Sequence, residues 1–213
     1  MICFKKEIVS EPLNQSRVFY DESLWHRVLG NLQGIPRSAV EKDYNFKQLV
    51  VYALIRSRDL YLTYRRTEKT REERLRQEYS IGIGGHVNII DSSQLTLFDH
   101  DYREGFLLQA VWREINEEIR IKSAVLNEPQ LICFINDDSN DVGKVHFGTV
   151  WLLEISEPKV SVKGERGIGK IRFDDISHLQ AKKSHFETWS RLLIDFLEAY
   201  ASRGYQGKNT GVS

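Results

Sequence analysis

The sequence of 213 residues predicts an α/β sandwich, a mixed sheet between helices, and three observations predict it. From residue 44 onward, runs rich in β-branched and aromatic residues alternate with short polar turns. Leu107, Val111, Ile115 and Ile119 recur every four positions, the apolar stripe of one amphipathic helix over 106–121. A second stripe at Phe186, Trp189, Leu193 and Leu197 marks a C-terminal helix over 186–201. With 41% apolar and 28% charged residues the composition is that of an ordinary globular chain, which excludes disordered, collagenous and coiled-coil classes. The length fits one domain with embellishments.

In chain order, residues 1–43 read as an N-terminal extension packed on the domain. It holds a short strand over 2–9, a polar turn at 11–16 and a helix over 23–32. Asp21 or Ser23 caps that helix, and Gly34 and Pro36 stop it. The main domain spans 44–203. It opens with strands at 49–55 and 60–64, a hairpin across the short polar link Arg56-Ser57-Arg58-Asp59. The stretch 67–78 is almost wholly charged and reads as a solvated loop or a frayed turn. The strand 79–87 then carries Gly82, Gly84 and Gly85. Glycine in a strand costs about 0.5–1 kcal/mol relative to alanine, so this density points to close backbone approach or unusual dihedrals. A polar loop at 88–101 leads into the central helix. Strands at 130–135, 145–155 and 170–173 follow, then the final helix and a Gly-rich tail at 204–213 that frays.

Thirty Lys+Arg against thirty Asp+Glu give a formal net charge of zero. No global field therefore draws the chain to nucleic acid or to an anionic membrane, and any anion site must be local. Cys3 and Cys133 are too few for a disulfide framework, and Cys133, inside the apolar run 131–135, reads as a buried reduced thiol. No stretch approaches 18 consecutive apolar residues, and residues 1–7 lack the apolar core of a signal peptide. A soluble, cytoplasmic protein with no membrane or nucleic-acid partner is the expectation.

The chemistry concentrates on the central helix. On a wheel, Glu117 falls about 60° to one side of Glu114 and Glu118 about 40° to the other, so three carboxylates share an arc of about 100°. Like charges at such spacings cost a few tenths of a kcal/mol each. A hard divalent cation would offset that repulsion. Mg²⁺ or Mn²⁺ suits carboxylate oxygens, keeps several waters and takes further ligands from substrate phosphates. The competing reading of a bare Glu-x-x-Glu-Glu is a solvated acidic face.

The run Arg113-Glu114-Ile115-Asn116-Glu117-Glu118-Ile119-Arg120-Ile121, preceded by Gly84-Gly85, resembles the signature of the Nudix hydrolases. That pattern reads Gly, five residues, Glu, seven residues, then Arg-Glu-apolar-x-Glu-Glu-x-Gly-apolar, and Arg113, Glu114, Ile115, Glu117, Glu118 and Ile121 match it. The order of elements over 44–201 is also similar to that family's α/β/α sandwich. The stretch 80–88, with an Asp-rich loop later, is similar to the group of predicted Nudix phosphoesterases. Three departures stand out. Residues 86 to 112 separate Gly85 from Arg113, 27 residues where the pattern has about 13, so the loop carries an insertion of about 14. The position eight before Arg113 is Gly105, with Glu104 the nearest acid, and Arg120 replaces the last Gly.

The resemblance implies a metal-dependent hydrolase that cleaves a phosphoanhydride bond in a small diphosphate linked to another moiety, with a nucleotide-type substrate and Mg²⁺ or Mn²⁺ as cofactor. Such chemistry needs dispersed phosphate charge neutralised and a water placed in line. Glu114, Glu117 and Glu118 would hold the metal, and the Gly85 carbonyl would complete its shell. Arg113, at i,i+4 from Glu117, would orient a helix carboxylate. The general base is a signature glutamate or Glu165, in the Gly-rich run 163–167. Arg65, Arg66 and Arg74 are candidates for substrate phosphates, since guanidinium forks match phosphate geometry, with solvation as the competing reading. His86 is either a phosphate contact or a strand residue facing its neighbours, and His146 reads as structural. Asp137, Asp138 and Asp141 read as turn formers, and Trp112 and Trp151 either stack on a base or fill the core. Glu104 either braces the helix start in a capping box with Asp101 or returns by a loop to the metal site. In a straight helix it would lie about 15 Å from Glu114, too far for a shared ion. The alternative function is a Nudix-fold module that binds a nucleotide or nucleotide sugar without cleaving it. A homodimer is left open.

Overall fold

From Leu49 to Ile55 the chain is apolar without a break, the pattern of a strand covered on both faces. The computed structural model places this run at the centre of a ten-stranded mixed sheet. It describes residues 1–9, 16–67, 78–92, 102–163 and 167–202. In chain order the elements are β1 (Ile2–Lys5), β2 (Val18–Phe19), α1 (Glu22–Gly30), β3 (Gln33–Gly34), α2 (Arg37–Val40), β4 (Phe46–Ser57), β5 (Leu60–Arg66), β6 (Tyr79–Ser80) and β7 (Gly82–His86). Then come α3 (Tyr102–Glu118), β8 (Ile119–Ile121), β9 (Gln130–Ile135), α4 (Asp141–Val145), β10 (His146–Glu154), β11 (Val160–Val162), β12 (Ile168–Asp175), α5 (Ile176–Ala181) and α6 (Thr188–Ser202).

The main path of the sheet is β12-β5-β4-β10-β9-β2. β4 and β10 run parallel, from His146 beside Gln48 to Glu154 beside Arg56. The other edge of β4 is shared by β1, β7 and β5 in turn, all antiparallel. Alternation then sorts the side chains. Val51, Ala53 and Ile55 meet Trp25 of α1 and Leu107, Val111 and Ile115 of α3 on one face. Tyr52 and Leu54 meet Leu193, Ile194 and Leu197 of α6 on the other. The α/β sandwich with a mixed sheet is therefore the fold observed. Among the described residues no helix is long and apolar enough to cross a membrane.

Several boundaries differ from the expectation. The first strand stops at Lys5, because Lys6–Val9 form a 3-10 turn that buries Val9. Asp21, not Ser23, caps α1, its Oδ1 accepting from the Leu24 N–H at 2.9 Å. Residues 1–43 lend β1 to the sheet edge, and the Trp25 ring is only 2% exposed. The central helix starts earlier and ends at Glu118, three residues before its expected end. Ile119-Arg120-Ile121 alternates apolar, polar, apolar, and this period suits a strand: Ile119 lies opposite Val162 and Arg120 opposite Ser161. Ile119 is buried all the same. The strand expected from 145 starts at His146, because Asn140 caps the short α4 before it, accepting from the Gly143 N–H at 3.0 Å. The tail 204–213 lies outside the described residues.

Behind the sheet, Tyr52 donates to Glu187 Oε1 at 2.7 Å, and Glu187 accepts the Trp189 and Ser190 N–H groups at the start of α6. A Cβ at Gly82 would meet the Tyr52 ring at 1.9 Å. Gly82→Ala is therefore expected to lower stability by about 1–3 kcal/mol through overpacking of Tyr52. Denaturant unfolding measures it, and a loss below about 0.5 kcal/mol would contradict this packing.

Candidate functional site

β7 runs antiparallel to β4, with Gly85 opposite Val51 and His86 opposite Val50. Among the described glycines only Gly167 has a positive φ, so crowding and not dihedral freedom explains the glycines of β7. A Cβ on Gly85 would lie 2.1 Å from Glu114 Oε1 and 2.2 Å from its carboxyl carbon. The Glu114 carboxylate thus rests directly on the backbone at Gly85.

Arg113 fixes that carboxylate. Its Nη1 donates to Glu114 Oε1 at 2.6 Å, and its Nη2 to the His86 carbonyl at 2.9 Å. Nε and Nη2 also fork onto Asp91, at 2.8 Å to Oδ1 and 3.0 Å to Oδ2. The expected i,i+4 partner, Glu117, is farther, at 3.6 Å. Asp91 holds the Arg113 guanidinium well above its usual range, and Glu114 adds to this. Burial pushes the Glu114 carboxyl up, while Arg113 pulls it down.

Asp91 was not among the residues singled out from the sequence. It is 5% exposed and closes a turn in the inserted loop, with Oδ2 accepting from the Asn88 N–H at 2.7 Å. The Asn88-x-x-Asp91 spacing was a visible turn signal. No local pattern ties it to Arg113, 22 residues on.

The three glutamates are not equivalent. The Glu114 side chain is 13% exposed and the Glu117 side chain 44%. Among the described residues no three His, Cys, Asp or Glu side chains already converge as a metal cage. What is present is a largely buried carboxylate seated on the backbone at Gly85, with two further carboxylates on the same helix end. Those oxygens fit a hard ion such as Mg²⁺ or Mn²⁺ that takes one or two carboxylates and keeps waters and substrate phosphates for the rest.

His86 meets His146, Nε2 to Nε2, at 2.9 Å. The Val142 carbonyl can only accept, so His146 Nδ1 carries the proton donated to it at 2.7 Å, and His86 Nε2–H donates to His146. Burial first, then His146 and nearby cationic groups, lowers His86 to about 3. It is a neutral strand residue engaged with its neighbour, so it brings no positive charge to a phosphate. An unfolded His takes up its proton near pH 6.5, which the folded state refuses until about pH 3. Stability should therefore fall as pH drops through that window, by up to about 1.4 kcal/mol per pH unit. Melting of wild type and His86→Gln between pH 7 and 4 checks it: equal slopes would contradict the assignment.

Arg65 and Arg66 are neighbours on β5 and so face opposite sides of the sheet. Arg65 is exposed, and Arg66 lies 5.6 Å over the Tyr64 ring. Arg74, Glu165 and Asp101 lie outside the described residues, as does the Glu104 side chain. Trp151 fills the core and donates to Thr149 Oγ1 at 2.9 Å, while Trp112 donates to Glu128 at 3.0 Å. Asp138 does more than form a turn. It pairs with Lys6 and with Lys47, a fully buried lysine that also donates to the Gly143 carbonyl at 2.8 Å. Burial lowers the Lys47 ammonium despite Asp138.

No family model matches the chain. Protein YmaB of Bacillus subtilis (strain 168) is 30% identical to it over 207 residues, 92% of each chain. Among solved structures, the candidate Nudix hydrolase Tm1382 matches with a TM-score of 0.71 at 24% identity, over 94% of this chain and 98% of that one. The Nudix domain of Shewanella oneidensis NrtR, complexed with ADP ribose, matches at 0.50 and 12% identity, over 74% of this chain and 88% of that one. A bifunctional NMN adenylyltransferase/ADP ribose pyrophosphatase from Francisella tularensis matches at 0.50 and 16% identity, over 72% of this chain and 41% of that one.

Proposed function

The chain belongs to the same family as protein YmaB and has the Nudix fold, and from that premise we propose that it is a divalent-metal-dependent hydrolase cleaving the phosphoanhydride bond of a small nucleotide-type diphosphate. The observation that carries this reading is the Glu114 carboxylate, seated on Gly85 and held by Arg113 at the end of a helix that also presents Glu117 and Glu118. Glu114, Glu117, Glu118 and the Gly85 carbonyl would hold Mg²⁺ or Mn²⁺. Bound there, the ion would neutralise phosphate charge and lower the pKa of a coordinated water.

The chain's own residues do the positioning. Arg113 keeps Glu114 against the strand and fixes the direction of its oxygens. Glu117, more open to solvent than Glu114, and Glu118 are the carboxylates able to accept a proton from an attacking water, and Glu165 is a further candidate for that role. The NrtR domain and the Francisella enzyme are both described with ADP ribose, which makes it the first compound to test. Incubation of the chain with ADP-ribose and other nucleoside diphosphate conjugates, with Mg²⁺ or Mn²⁺, should release monophosphates detectable by ³¹P NMR, and a chelator should stop the release. Binding of these compounds without cleavage at any metal concentration would instead favour the sensor alternative.

A further inference from the structure

We propose that Asp91 is a positioning residue for the metal-facing carboxylate Glu114, acting through Arg113. The inference rests on the functional reading above. Arg113 has three donor nitrogens, and Asp91 occupies two of them in a fork at 2.8 and 3.0 Å. That leaves Nη1 as the nitrogen that reaches Glu114, at 2.6 Å. Two parallel bonds set the plane of the guanidinium, and hence where Nη1 meets Glu114.

Asp91 is itself fixed. It is 5% exposed, its Oδ2 accepts from the Asn88 N–H at 2.7 Å, and its own N–H donates to the Asn88 carbonyl at 3.0 Å. The inserted loop therefore delivers a rigid acid to the signature arginine, in a chain whose Gly105 supplies no carboxylate eight positions before Arg113. The second consequence is electrostatic. Asp91 balances the Arg113 charge. Without it that charge would fall on Glu114 and on Glu117, which already lies 3.6 Å away. A guanidinium competing for those oxygens would weaken their hold on a cation.

Mn²⁺ alone, titrated by electron paramagnetic resonance well below the unfolding temperature, tests this in wild type, Asp91→Asn, Arg113→Gln and the double variant. Groups that orient metal ligands typically change metal affinity by about 10–100-fold. Asp91→Asn should weaken Mn²⁺ binding about tenfold or more. In the Arg113→Gln background the same change should have less than about a twofold effect, because the two act as one unit. A purely structural Asp91 would lower the melting temperature and leave Mn²⁺ affinity of the folded protein unchanged, and that result would overturn the inference, as would fully additive effects. Should Asp91→Asn not fold, Arg113→Lys serves: its single ammonium cannot fork Asp91 and reach Glu114 together, so a similar loss is expected and wild-type affinity would overturn the inference. Wild type failing to bind Mn²⁺ would remove the proposed function along with it. Wild type and Asp91→Asn binding equally would remove this inference alone.

Discussion

Glu118→Gln is expected to lower turnover by two orders of magnitude or more with little change in stability. Glu118 is the last residue of α3, half-buried where the helix gives way to β8, and its carbonyl accepts from the Lys163 N–H at 2.9 Å. That bond is made by the main chain, so an amide side chain leaves it intact. The substitution keeps shape and removes one charge from the cluster. An acidic cluster without its ion is mildly destabilising, so the fold does not need the charge. Turnover at saturating Mg²⁺ is the readout. Retention of more than about a tenth of wild-type activity, a barrier change under about 1.4 kcal/mol, would contradict the assignment.

Arg113→Ala should cost both stability and activity. It strands Asp91, which is 5% exposed, with a buried charge and no ion partner, and it releases Glu114 from its seat at Gly85. Breaking a buried pair by removing one partner costs about 3–5 kcal/mol. The low end applies here, because the Arg113 side chain is 26% exposed and solvent screens part of the interaction. Denaturant unfolding should therefore show a loss of about 3 kcal/mol, and turnover should fall with it. A loss below about 1 kcal/mol would mean that the Asp91 fork contributes no more than a surface pair.

Much of the architecture was legible because it is periodic. The β-branched and aromatic run 49–55 announced a strand, though not its burial on both faces, and the four-residue recurrence from Leu107 to Ile119 announced α3, even though Ile119 turned out to open a strand. The helix wheel placed Glu114, Glu117 and Glu118 on one face but treated them alike. Tertiary packing separates them, seating Glu114 on β7 and leaving Glu117 open. Pairings across the chain were not legible. His86 and His146 meet because β7 and β10 flank β4 on opposite edges, a matter of register. Lys47 gives no sign in sequence of being fully buried, since lysine seldom is without a partner, and its partner Asp138 lies 91 residues away. Asp91 reads as one polar residue in a loop until the fold carries it onto Arg113.

In the proposed function, the Glu114, Glu117 and Glu118 oxygens, with Gly85, hold a catalytic divalent ion. Calorimetric titration of Mn²⁺ into wild type and into the Glu114→Gln/Glu117→Gln/Glu118→Gln variant, with folding verified by circular dichroism, tests it most directly. Wild type should show one saturable site or more, and the folded variant none. Equal Mn²⁺ binding by the two proteins would contradict it.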